Sequence, residues 1–170
     1  MEMIAFLSLF CTLVFAILYH ITRFGIWFTL AVTFGTTAYH FCIRLLIGFL
    51  YQWRMNNHAD YTKRWYQLHP WEQKLYRWLK VKKWKNKMPT YRKDFFDPKL
   101  HSWSEIAQAM CQAELVHETI VVFSFLPLLF SIWVGAFPVF LVTSIAAACF
   151  DMILVVMQRY NRARVIKMLS

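Results

Sequence analysis

Four apolar runs, each long enough to cross a bilayer, limit what this chain can fold into. They lie at about 3–19, 26–51, 112–132 and 137–157. A hydrocarbon core about 30 Å thick is crossed by about 20 apolar residues in a helix that rises about 1.5 Å per residue. Hydrophobic residues make up 59% of the 170-residue chain, above the roughly half usual for a soluble domain. The chain therefore reads as all-α: a polytopic membrane helix bundle of about four transmembrane helices, one integral membrane domain over residues 1–170. The N-terminal Met-Glu-Met-Ile has no basic region of the secretory-signal kind and a second apolar run follows at once, so the first run reads as a retained span.

Charge orients the spans. The net charge is +10, and of 19 Lys and Arg, 13 lie between Arg54 and Lys99 and four between Arg159 and Lys167. Basic segments stay on the cytoplasmic side. The loop at about 54–102 and the C-terminal tail then share the cytoplasm. With four spans the N-terminus joins them there, and the turns at Arg23 and at 132–137 face outward. Four spans consume most of the chain, which argues against a nucleic-acid partner despite the basic clusters. Cys11, Cys42, Cys111 and Cys149 are scattered in or beside apolar runs and read as small buried hydrophobes rather than a disulfide or zinc framework.

Local signals fix the connections. His20, Thr22, Arg23 and Gly25 make a short turn. His40 and Arg44, four apart in the second run, read as a bundle-facing hydrogen bonder and a side chain that snorkels to the nearer interface. In the cytoplasmic loop Pro70 suits the first turn of a helix. Trp71, Leu75, Trp78 and Leu79 then form an apolar stripe with Lys74, Arg77 and Lys80 off it, the pattern of an amphipathic interfacial helix. The lysine run from Val81 follows and ends at Pro89. It is dense enough to attract anionic lipid headgroups or an anionic acyl donor. Asp97-Pro98 marks a turn, and Ser102 with Glu105 matches a capping box that starts a helix near Trp103. That helix is expected to run into the membrane to about Ile132, kinked at Pro127. Gly135 and Pro138 flank the last turn.

One stretch stands out. Glu114, His117 and Glu118 enter an apolar span, where ionisable groups are costly unless paired or wet, and so mark a functional site by default. The third and fourth spans form an antiparallel hairpin about residue 135. His117 precedes that point by about 18 positions and Asp151 follows it by about 16, which puts them at depths differing by only about 3 Å. Asp151 is the expected partner of His117. Glu114 lies about a turn nearer the cytoplasm, and Arg159, Asn161 and Arg162 lie beyond it. Such a ladder suits acyl transfer. A histidine takes the proton from an attacking hydroxyl, and a carboxylate orients the ring and stabilises the imidazolium. Arg and Asn bind a phosphate-bearing donor or a developing oxyanion. The plainer alternative is a polar network that lets these groups survive in a bundle. A metal is not expected: Glu114-x-x-His117 has di-iron spacing, but a second such motif and two further Glu are missing.

Lys80-Val-Lys-Lys-Trp-Lys85, Ala113-Glu-Leu-Val-His117 and Gln158-Arg-Tyr-Asn-Arg-Ala-Arg-Val165 together resemble the glycosyl-4,4′-diaponeurosporenoate acyltransferase family of the staphyloxanthin-type carotenoid pathway. The resemblance covers about 71–169, and the Q-R-Y-N-R element is its most specific part. It departs from the family pattern at Ala163, where that pattern has proline. The first two spans, where a carotenoid tail would bind, match poorly. The resemblance implies a bacterial inner-membrane enzyme that moves a fatty acyl group to a sugar hydroxyl of a glycosylated lipid or carotenoid acid. It needs no cofactor beyond the donor, acyl-CoA or acyl carrier protein. Matching positions are Lys82, Lys83, Trp84, Lys85, Glu114, His117, Arg159, Tyr160, Asn161, Arg162 and Arg164. With Asp151 from the hairpin, these give catalytic candidates His117, Glu114 and Asp151. The substrate-binding candidates are Lys82, Lys83, Trp84, Lys85, Arg159, Asn161 and Arg162. Two other classes compete: a non-catalytic lipid-binding or scaffold protein, and another small membrane transferase such as a methyltransferase. No nucleotide-binding loop supports the latter, and no feature selects an oligomeric state.

Overall fold

In the computed structural model, residues 1–88 and 92–169 are described. Pro89, the expected end of the lysine run, lies outside them. The described residues contain seven α-helices and no strand. The helices are α1 (Glu2–Thr22), α2 (Gly25–Met55), α3 (Pro70–Trp78), α4 (Val81–Trp84), α5 (Trp103–Phe123), α6 (Pro127–Val134) and α7 (Phe137–Leu169), with short 3-10 turns at Arg64–Tyr66, Lys85–Lys87 and Lys93–Phe96. Four stretches, Glu2–Thr22, Gly25–Met55, Trp103–Val134 and Phe137–Leu169, are long and apolar enough to cross a membrane. The second, third and fourth helical stretches outrun the apolar runs, because polar residues at their ends continue the helix.

The chain forms two compact units. The first comprises residues 1–49 and 119–150. Its apolar side chains are turned outward in number, as at Met3, Phe6, Ile21 and Trp133, which suits a lipid solvent. Within it Phe15 stacks on Trp27 and Phe34 at 5.8 and 5.4 Å. Hydroxyls of Thr12, Thr33, Thr37, Ser124 and Thr143 donate to carbonyls of their own helices, which satisfies them where water is absent. Tyr39 Oη donates to the Phe123 carbonyl at 2.9 Å. His40 is buried. Arg44 does not snorkel outward. Its guanidinium donates to the His40 and Ala147 carbonyls and lies over the Phe41 and Phe150 rings.

The expected kink at Pro127 is a full break. Between α5 and α6 the bonding tightens to the i−3 pattern at Phe125, Leu126, Leu128 and Leu129. Proline has no N–H and crowds the carbonyl four residues back, so the preceding turn contracts. Gly135 and Ala136 take positive φ, 73° and 54°, to reverse the chain into α7. The cysteines differ from expectation: only Cys111 is buried, while Cys42 and Cys149 are exposed and Cys11 is intermediate. Lone thiols on a lipid-facing helix surface carry no burial requirement.

The second unit comprises residues 50–118 and 151–170. Ile106, Ala107, Met110 and Val165 form its apolar core, with Tyr61 and Phe96 against it. The end of α2 is pinned at Asn56 and Asn57, both left-handed, a conformation Asn tolerates. Gln112 accepts the Asn57 N–H at 2.6 Å and donates to Gln52 at 3.1 Å. The turn at Asp97 forms as the sequence reads, with Asp97 accepting the Lys99 N–H at 2.8 Å.

Candidate active site

Helix α5 starts where its sequence says it should. Glu105 accepts the Ser102 N–H and Oγ–H at 2.7 and 2.8 Å, and Ser102 Oγ accepts the Glu105 N–H at 3.3 Å. Three turns on, the same helix presents Glu114, fully buried, and His117, whose side chain keeps 22% exposure. On α7 the residues Asp151, Val155, Gln158 and Arg162 are all buried. Their spacings of four, three and four put them on one face.

That face supplies the partners. His117 Nδ1 lies 2.9 Å from Asp151 Oδ1, and Asp151 is wholly buried. An ionised carboxylate only accepts hydrogen bonds, so His117 Nδ1–H donates and Nε2 carries the lone pair in the neutral ring. Glu114 takes both guanidinium groups of the Gln-Arg-Tyr-Asn-Arg element. Arg159 donates to Oε1 at 2.7 Å and Arg162 to Oε2. Arg162 also donates to the Tyr66 carbonyl at 2.7 Å and stacks over the Tyr66 ring, and it is 1% exposed. The sequence puts Arg162 among substrate-binding residues. Its guanidinium is instead spent inside the protein, because Glu114 cannot stay buried without a cation.

Glu72 is the residue that sequence reasoning missed. It is the one acidic residue between Tyr61 and Lys93 in a strongly basic stretch, and that isolation was the available signal. From α3 its Oε2 accepts the His69 N–H at 2.7 Å, capping the helix that Pro70 opens. Its carboxylate also pairs with the Arg159 guanidinium, accepting Nη2–H at 3.3 Å with Nε 2.8 Å away, and accepts Tyr76 Oη–H at 3.2 Å. Glu72 and Tyr76 are buried while Trp71 and Trp78 are exposed. The inward face of α3 is therefore the Glu72–Tyr76 face, and the tryptophan stripe lies outside, as an interfacial helix requires. Burial and the Glu72 charge push the Tyr76 phenol above its usual range. Burial likewise raises Tyr66 to about 12, so both phenols stay protonated.

Glu118 lies at the rim. It accepts Trp65 Nε1–H at 3.1 Å and approaches Arg159 at 3.9 Å. Four of the nine acidic residues, Glu72, Glu114, Glu118 and Asp151, thus serve this one region of a chain of net charge +10. Lys82 and Lys83 are exposed, and Trp84 is half-buried with Nε1–H on the Leu79 carbonyl at 3.0 Å. Lys85 donates to Asn161 Oδ1 at 2.7 Å, so these two substrate-binding candidates meet each other. Tyr160 lies edge-on to Tyr76 at 6.2 Å. Among the described residues no three His, Cys, Asp or Glu side chains are grouped to hold a metal ion.

A family model described as glycosyl-4,4′-diaponeurosporenoate acyltransferase matches residues 62–170. The chain belongs to that family. The matched region holds Glu72, the lysine run, Glu114, His117, Asp151 and the Arg159–Arg164 segment, and leaves out α1 and α2. No curated protein and no solved structure matches. Family membership makes the chain an acyltransferase, and its four long apolar helices make it a membrane acyltransferase. The scaffold and methyltransferase readings give way to that assignment.

Proposed function

We propose that the protein transfers a fatty acyl group from a thioester donor to a sugar hydroxyl of a glycosylated lipid or carotenoid acid, with His117 as general base. The observation that carries this reading is the 2.9 Å contact of His117 with buried Asp151, made by a histidine still partly open to its surroundings. His117 Nε2 takes the proton of the attacking hydroxyl as its oxygen forms the new C–O bond at the thioester carbonyl. Asp151 stabilises the imidazolium and fixes the tautomer. Collapse of the tetrahedral intermediate breaks the C–S bond. The imidazolium then returns the proton to the departing thiolate, leaving an ester and a free thiol, with no covalent enzyme intermediate.

Glu114, Arg159, Arg162 and Glu72 act as positioning residues in this scheme. They hold α3, α5 and α7 in register, and Glu114 sits one turn from His117. The exposed Lys82 and Lys83 suit the phosphates of acyl-CoA or acyl carrier protein. The charge bias supports a bacterial cell-membrane location with both termini, the basic loop and the reaction on the cytoplasmic side. Lipid mass spectrometry of cells with and without the intact protein tests the reaction. A glycosylated lipid heavier by one fatty acyl group appears only with the protein. Identical glycolipid profiles would contradict it.

A further inference from the structure

Away from the His117–Asp151 pair, α7 borders a second feature. Leu79, Trp84 and Met88 face Met152, Ile153 and Val156 across an apolar groove of about 510 Å³. Met152 and Ile153 are exposed, whereas Asp151 points inward. Positions 152, 153 and 156 lie on the side of the helix away from Asp151. The groove is therefore not the reaction centre.

The polar neighbours of this groove carry positive charge. Lys85 follows Trp84 directly and donates to the Asn161 amide oxygen at 2.7 Å, with the Tyr160 ring at 5.6 Å. Among the described residues no carboxylate pairs with Lys85 or Arg164. Burial, then the Arg164 charge, holds the Lys85 ammonium below its usual range. A partly buried cation beside another cation is unfavourable unless an anion joins them. Asn161 spends its oxygen on Lys85, which leaves its N–H groups to donate to the same anion. Asn161 lies ten residues beyond Asp151, about 15 Å along the axis. An anion held there by Lys85 is remote from the acyl-transfer chemistry.

We infer that this groove and its cationic end bind an anionic membrane phospholipid, one acyl chain lying between Trp84 and Val156 and the phosphate held by Lys85, Asn161 and Arg164. A zwitterionic lipid fits the groove and offers the same phosphate, but its own ammonium cancels the charge that would offset the two cations. Each cation near a membrane surface raises anionic-lipid affinity about fivefold, so the pair confers a preference of about 25-fold. The lipid is a structural ligand and not the acyl donor, and the proposal stands whether or not His117 is the base.

Native mass spectrometry of the full chain from nanodiscs of mixed phosphatidylglycerol and phosphatidylcholine tests it. The expected result is retention of one phosphatidylglycerol. Lys85→Gln with Arg164→Gln removes the preference, and Val156→Trp fills the groove and expels the lipid with the charges intact. Lys82→Gln with Lys83→Gln retains it. Equal retention of the two lipids by the wild type would overturn the proposal, as would loss of phosphatidylglycerol in the Lys82/Lys83 variant. One-for-one displacement by palmitoyl-CoA would also overturn it, since the groove would then belong to the donor.

Discussion

At the scale of single residues, the site divides into groups that touch the reaction and groups that hold them. In the proposed scheme Asp151 acts on the reaction through His117. Asp151→Asn leaves the shape but no longer fixes the tautomer or stabilises the imidazolium. The expected result is a fall in kcat of about 10²- to 10⁴-fold with KM unchanged, read from steady-state kinetics with a long-chain thioester. Glu114→Gln acts differently. It removes the charge shared by Arg159 and Arg162, and breaking a buried pair of this kind costs about 3–5 kcal/mol. A lower thermal midpoint in detergent checks this, alongside lost activity. The pairing of His117 with Asp151 was legible in the sequence because hairpin depth follows from counting residues. The fate of Arg162 was not, since depth says nothing about helix rotation. Rotation turned Arg162 inward to Glu114 and the Tyr66 carbonyl.

At the scale of elements, α3 is held to α7 by the Glu72 carboxylate and by the buried Tyr76 ring against Tyr160. Glu72 caps its N-terminus through the His69 N–H and joins Arg159, which lies 87 residues away in sequence. Glu72→Ala loosens α3 from α7 while leaving the tryptophan stripe intact. Limited trypsin digestion then cuts faster at Lys74 and Arg77, which are exposed in the protein but held in helix. Unchanged digestion would show that Glu72 is not needed to hold α3. The capping box at Ser102 and the turns at Arg23, Asp97 and Gly135 were all readable, because each is a local contest between backbone groups and short side chains. The sequence at Pro127 reads as a kink, and the helix is interrupted there between α5 and α6. How far a helix contracts ahead of proline depends on neighbouring helices as well as on the ring. Glu72 escaped notice because its partner comes from the far end of the chain.

At the scale of the whole molecule, the charge bias supports the proposed orientation, with the basic loop and C-terminal tail in the cytoplasm. A reporter fused after Ser170 should fluoresce as cytoplasmic green fluorescent protein and show no alkaline phosphatase activity in the periplasm. The reverse pattern would move the basic loop and the site to the other face. The family match begins at residue 62, so the basic loop and the α5–α7 hairpin are the part of the chain shared with the family.

The central claim is that His117 moves the proton in acyl transfer. The direct measurement is the rate of acyl ester formation by His117→Gln in nanodiscs with a long-chain thioester and a glycosylated lipid acceptor, at matched protein levels and helical content. The expected result is a loss of about 10²-fold or more in kcat. Wild-type turnover by His117→Gln would contradict it.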